Sequence, residues 1–276
     1  MHRKHEKRKM FFCISIVALF VLWTLIPIIL LISQSVKPDN IMFADPPQYI
    51  FHPVGTHFTR VFIRNNILES MTNSVITSLS TMLLCVVLGS LCAYSLARVR
   101  IPGSKAIALF IVLTRTVPAG ALMLPMYVLM RKLGIANTYL AVILAHTTLN
   151  LPFAVLMMKG FFQDVPLELE QAAQVDGCSR MHTFLKICIP LTAPGLATTG
   201  IMVLLNSWNE FMFALILTGR GTRTLPIAIS SFLGSVSIDW GASSAAATLA
   251  TVPIFIAGMF IQKYFVRGLT NGAVKG

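Results

Sequence analysis

The sequence predicts an all-α integral membrane protein with six membrane-spanning helices. Of its residues 55% are hydrophobic and only 12% are charged, and the apolar residues gather in six long runs. Soluble domains average about 25% charged residues. A soluble core of this size cannot hide so much apolar surface, whereas a bilayer removes the need. A spanning helix takes about 20 mostly apolar residues. Lipid offers the backbone no hydrogen-bond partners, so each run must be helical.

The runs occupy residues 11–33, 74–97, 106–130, 138–158, 194–217 and 245–266. Arg3, Lys4, Lys7, Arg8 and Lys9 precede the first. That arrangement resembles a signal peptide, but the run exceeds the usual h-region and no small-x-small cleavage site follows. An uncleaved first helix is therefore expected. The formal charge of +12 does not point to nucleic acid, because the basic residues lie between apolar runs rather than on one face. They set orientation instead. With the N-terminus inside, the inner segments carry fourteen Lys and Arg and the outer ones seven, with Arg115 inside a run. This predicts an N-in, C-in topology. A basic cytoplasmic N-terminus (1–10) leads into the first span (11–33) and an extracellular loop (34–73). The membrane core (74–266) contains a cytoplasmic loop (159–193), and a cytoplasmic tail (267–276) ends the chain. Pro38, Pro46, Pro47 and Pro53 make the 34–73 loop irregular or extended. Cys13, Cys85, Cys92, Cys178 and Cys188 show no CxxC spacing, so neither a disulfide framework nor a zinc site is expected, and the histidines lack metal-ligand spacing.

The 159–193 loop is the most informative stretch. It holds Asp164, Glu168, Glu170 and Asp176, four of the ten acidic residues. Pro166 suits a first helical turn, and the early carboxylates suit a helix N-terminus. Leu169, Ala172, Ala173 and Asp176 recur at helical spacing, a thin stripe for a core-facing helix. Its small residues permit close approach of another surface. Gly177 allows a sharp turn, and a second amphipathic segment (Met181, Phe184, Leu185, Ile187, Cys188) ends at Pro190 and Pro194.

This pattern resembles the EAA loop of importer permeases in the ATP-binding-cassette superfamily. The matching residues are Gln171-Ala172-Ala173, Asp176-Gly177 and Ile187-Cys188-Ile189-Pro190. Three further stretches are similar to the carbohydrate-importer subgroup: Ser35-Val36-Lys37-Pro38, Asn206-Ser207-Trp208-Asn209-Glu210-Phe211, and the tail from Gly268 to Gly276. The resemblance covers nearly the whole chain. It implies a type I importer permease bundle in the bacterial plasma membrane. Glu170, Gln171, Ala172, Ala173, Asp176, Gly177 and Pro190 would belong to the element that couples to an ATPase. Gln171 replaces the family's glutamate, and Glu170 faces about 100° away on a helix. The implied partners are a homologous second permease, an ATPase dimer that uses ATP-Mg, an extracellular solute-binding protein and membrane lipid. No cofactor is expected on this chain.

Ionisable groups within spans are costly and face cavities or partners. Arg115, Asn150, Asn206, Trp208, Asn209 and Glu210 therefore form the candidate translocation pathway, since hydroxyl-rich solutes need amides, a carboxylate and an aromatic face. An alternative is structural, with Arg115 pairing with Glu210 across a bend at Pro118. His146 also lies in the fourth run. The chain contains no Gly-Lys pair, so it has no phosphate-binding loop. It also lacks GxSxG and HExxH. A lipid-modifying membrane enzyme and an ion-coupled secondary transporter are the rival readings. The latter predicts repeated halves with matching broken helices.

Overall fold

The computed structural model describes residues 2–64, 66–234 and 238–273, with side chains described for 10–63, 66–234 and 238–259. The side chains of the basic residues 3–9 and of the 267–276 tail lie outside that set. Thirteen α-helices are assigned over the described residues. They are α1 (His2–Val36), α2 (Thr56–Arg64), α3 (Ile67–Arg98), α4 (Ser104–Thr114), α5 (Ala119–Lys132), α6 (Tyr139–Asp164) and α7 (Leu167–Val175). Then come α8 (Arg180–Thr183), α9 (Ile189–Leu191), α10 (Ala193–Trp208), α11 (Met212–Leu217), α12 (Leu225–Ser230) and α13 (Trp240–Ala273). A 3-10 turn spans Asp39–Ile41 and a π-helical turn Phe184–Cys188. Among the described residues the only β pairing is an isolated bridge between Leu233 and Ile238.

Among the described residues four helices are long and apolar enough to cross a membrane: Met10–Val36 of α1, Ile67–Arg98, Tyr139–Asp164 and Trp240–Met259. Two bent pairs raise this to six, if each is one span. The third apolar run is not one straight helix. It breaks between α4 and α5 with a bend of 96°. Pro118 carries no N–H and biases Val117 toward extended backbone, so the chain turns at 115–118 instead of kinking. The fifth run also differs from a simple span. Arg180–Leu191 joins α10 at 78°, so the second amphipathic segment leads directly into the membrane helix. The run then stops at Trp208, and α11 restarts after a break at Asn209–Phe211.

The chain divides into two compact units. The first comprises residues 1–67 and 229–251. Residues 34–64 of the expected 34–73 loop lie in this unit and are more ordered than their prolines predict, because α2 forms among them, while 67–73 already belong to α3. At its centre His57 is fully buried, with Nε2 2.7 Å from the Lys37 carbonyl oxygen. That contact makes Nε2 the protonated nitrogen and leaves Nδ1 to accept from Arg60 Nη2 at 2.8 Å. Arg60 also pairs with Asp39 at 2.6 Å and Asp239 at 2.8 Å. Burial opposes the Arg60 charge, but its bond to Asp39 and the neighbouring Asp239 outweigh it and raise its pKa. Asp39, His57 and Asp239 converge closely enough to hold a cation. The sequence hid this grouping, because its members are scattered along the chain. The Arg60 guanidinium already engages their donor atoms.

The second unit comprises residues 68–228 and 252–276. Along α3 the buried residues Asn73, Ser74, Thr77, Ser78, Thr81, Cys85, Ser90 and Ala93 form a stripe of small side chains. Such stripes let helices approach closely where lipid supplies no hydrophobic driving force. At one end Asn73 donates to the Gly221 and Arg223 carbonyls at 3.2 and 3.0 Å and accepts from Tyr139 at 2.7 Å. Ser74 accepts from the Leu225 amide at 2.7 Å. Thr138 caps α6 by accepting from the Ala141 amide at 3.4 Å. At the other end Tyr94, Phe162 and Phe184 stack edge-on or tilted, with centroids 4.8 to 5.8 Å apart.

Candidate functional site

Two constellations stand out, both in the second unit. The first is the loop around α7. Pro166 precedes α7, and Glu168 and Glu170 lie in its first turn, where the helix dipole favours negative charge. Gly177 follows with φ +88°, a left-handed conformation that costs a residue with a Cβ about 1–2 kcal/mol. Ser179 then caps α8 by accepting from the His182 amide at 3.3 Å. The helix has two unlike sides. Gln171, Ala172, Asp176 and Gly177 are exposed, as are Leu169 and Val175, the latter at 88%. Glu170 and Ala173 are buried against the chain itself. Glu170 is thus turned inward, away from the exposed side of α7. Its carboxylate accepts from Arg98 Nε at 2.6 Å and from the Tyr94 hydroxyl at 2.9 Å. Pro190 is exposed at the start of the turn into α10. Arg98 and Tyr94 carry no signal in the sequence for this role, since they stand 72 and 76 residues from Glu170.

The second constellation is a cavity of about 620 Å³ between α4, α5, α6 and α10. Arg115, Asn150, Asn206 and Glu210 all line it, joined by Thr114 and Thr148, whose hydroxyls donate to the Ile111 and Leu144 carbonyls. The breaks in the third and fifth runs make this possible. Arg115 sits at the end of α4, where the chain turns, and its guanidinium lies 5.1 Å from the centre of the Phe153 ring. Arg115 and Glu210 do not pair. Glu210 instead accepts from the Phe213 and Ala214 amides at 2.9 and 3.0 Å, capping α11. It also takes His146 Nε2 at 2.9 Å. The other ring nitrogen of His146 is 2.7 Å from Ser207 Oγ. Asn150 donates to the His146 carbonyl at 2.8 Å.

Two of the sequence-selected residues lie elsewhere. Trp208 is 4% exposed and lines a separate apolar cavity of about 250 Å³ with Val75, Leu79 and Pro253. Asn209 is exposed and donates to the Leu205 carbonyl at 2.9 Å. No aromatic side chain is among the residues lining the larger cavity. His146 was missed as the partner of Glu210, and Ser207 as the partner of His146. Their depth within apolar runs was the only available hint.

Residues 85–271 match the family described as "Binding-protein-dependent transport system inner membrane component". The chain is 34% identical over 254 residues to the sulfoquinovosyl glycerol transport system permease protein of Agrobacterium fabrum, covering 91% of this chain and 89% of that one. It is 34% identical over 262 residues to the trehalose transport system permease protein of Mycobacterium tuberculosis, covering 94% and 95%. A bacterial ABC transporter involved in the import of the acidic polysaccharide alginate shares the fold, with a TM-score of 0.77 at 21% identity, over 91% of this chain and 94% of that chain. The chain therefore belongs to the family of inner membrane components of binding-protein-dependent transport systems: it is a multi-pass membrane permease subunit, not an enzyme.

Proposed function

We propose that this permease forms one half of the translocation pathway of an ATP-driven carbohydrate importer, with α7 as the element that docks on a separate ATPase. One observation carries the reading. α7 is a short helix fixed to the bundle on one side and bare on the other, and its bare side presents Leu169, Gln171, Ala172 and Val175. The exposed Val175, at 88%, and Ala172 share one side of α7 with Gln171, and small and apolar groups there suit the close approach of another protein. Gln171 is uncharged at the position where the family's glutamate stands, so the charge on the exposed side of α7 comes from Glu168 and Asp176. The orientation follows from the same reading: α7 faces the cytoplasm, and α2 and the 34–73 loop lie outside. The ATPase dimer supplies ATP-Mg chemistry, a second permease completes the bundle, and a solute-binding protein delivers the cargo.

Arg115, Asn150, Asn206 and Glu210 then face the transported solute. A guanidinium, two amides and flanking hydroxyls suit a polyhydroxylated molecule. The trehalose and sulfoquinovosyl glycerol permeases among its relatives support a carbohydrate. Glu210, held by three donors, serves first to fix the break in the fifth run.

The experiment is deletion of residues 172–177 in cells carrying the complete transporter, with uptake measured for a panel of labelled disaccharides. Uptake is expected to vanish while the chain still reaches the membrane. Preserved uptake would instead favour an ion-coupled carrier, which has no use for this loop.

A further inference from the structure

The inward side of α7 bears groups that the reading above leaves without a role. Only two residues of α7 are buried, Glu170 and Ala173. An alanine methyl offers little grip, so Glu170 is the main side-chain attachment. Its two carboxylate oxygens take Arg98 Nε at 2.6 Å and the Tyr94 hydroxyl at 2.9 Å. Arg98 Nη2 also donates to the carbonyl of Val165, which follows the last residue of α6. One carboxylate thus ties α7 to the end of α3 and, through the same guanidinium, to the end of α6.

Exposed ion pairs on flexible side chains are screened and transmit little. This pair is different: Arg98 is 13% and Glu170 3% exposed. Both ionised groups are hydrogen-bonded, and charge-assisted bonds in a desolvated setting are the strong ones. Beneath them lie the rings of Tyr94, Phe162 and Phe184. The chain itself holds α7 at both ends, to α6 through Pro166 and to α8 through the turn at Gly177. Neither link reaches α3. The Glu170–Arg98 pair does, so α7 moves together with α3 as well as with α6.

We propose that the Arg98–Glu170–Tyr94 cluster is the linkage through which displacement of α7 reaches α3 and α6. Arg98 and Glu170 are then positioning residues for the change of access state. The inference rests on the reading of α7 as the ATPase-coupling element.

The test uses the whole transporter in vesicles, with Val117→Cys as a reporter in the cavity and Cys13, Cys92 and Cys178 changed to serine. The readout is the rate of labelling by a membrane-impermeant maleimide, with and without ATP plus vanadate, alongside phosphate release from ATP. The parent is expected to change its labelling rate by about fivefold or more. Arg98→Gln and Glu170→Gln should respond less than about twofold while still hydrolysing ATP, and the exchange Arg98→Glu with Glu170→Arg should regain part of the response. Single variants that assemble and respond like the parent would overturn the proposal. Should they fail to assemble, Tyr94→Phe, which removes one hydroxyl, decides: a weakened response supports the linkage and a parental one refutes it. A parent that does not respond to nucleotide would refute the coupling role of α7 itself.

Discussion

Replacing Glu210 with glutamine changes little volume but removes a charge at the break between α10 and α11. The carboxylate accepts three bonds: from His146 Nε2 at 2.9 Å, the Phe213 amide at 2.9 Å and the Ala214 amide at 3.0 Å. A glutamine offers one oxygen, and its NH₂ must face at least one of these donors. If the oxygen faces Phe213, both His146 and Ala214 lose their acceptor. Losing a helix-capping bond costs about 1 kcal/mol. Losing a charge-assisted bond to a histidine buried at 0% exposure costs about 1.5–3 kcal/mol. The sum, about 2.5–4 kcal/mol, corresponds to a fall in Tm of roughly 5–16 °C for a chain of this size. The assay is thermal unfolding of the detergent-purified chain, with His146→Leu and the double variant completing a cycle. His146→Leu alone should be harmful because it leaves the Glu210 carboxylate short of one partner. The double variant should be less harmful than the two single changes added together. A Glu210→Gln protein that melts within about 2 °C of the parent would refute this reasoning.

Two further predictions concern glycines. Gly241 packs on His57 so tightly that an added Cβ would overlap the imidazole ring. Because the ring is fully buried and held by Lys37 and Arg60, Gly241→Ala should destabilise the first unit by about 1–3 kcal/mol or more. Faster limited proteolysis after α2 would report it, and a parental cleavage rate would contradict it. Gly177→Val should strain the turn after α7 by about 1–2 kcal/mol at its φ of +88°. Solute uptake should fall more than ATP hydrolysis does, and equal losses would show that the turn does not orient the docking helix.

Much of this architecture was legible in the sequence. Apolar length, which lipid forces into helix because it permits no unpaired backbone, gave four spanning helices among the described residues, and six if each bent pair is one span. Pro166, the early carboxylates and Gly177 marked α7 through local rules of helix starts and turns. What was not legible had non-local causes. Proline marked the third run as interrupted, but the 96° turn at Pro118 needs the packing of α4 and α5 to fix it. The inward rotation of Glu170 depends on Arg98, and nothing local pairs residues that far apart. Trp208 read as an aromatic surface for a sugar because it neighbours three polar residues. On α10 it faces the other way, toward Val75 and Pro253. Arg98 also counted among the inner basic residues that set orientation, yet its charge is spent inside the protein on Glu170.

The most direct test of the central claim is accumulation of labelled disaccharide by sealed vesicles that contain this chain with its sister permease, ATPase and solute-binding protein. Accumulation should require ATP on the α7 side and persist when the ion gradients are collapsed by ionophores. Uptake that survives removal of ATP but stops with the ionophores would contradict the account.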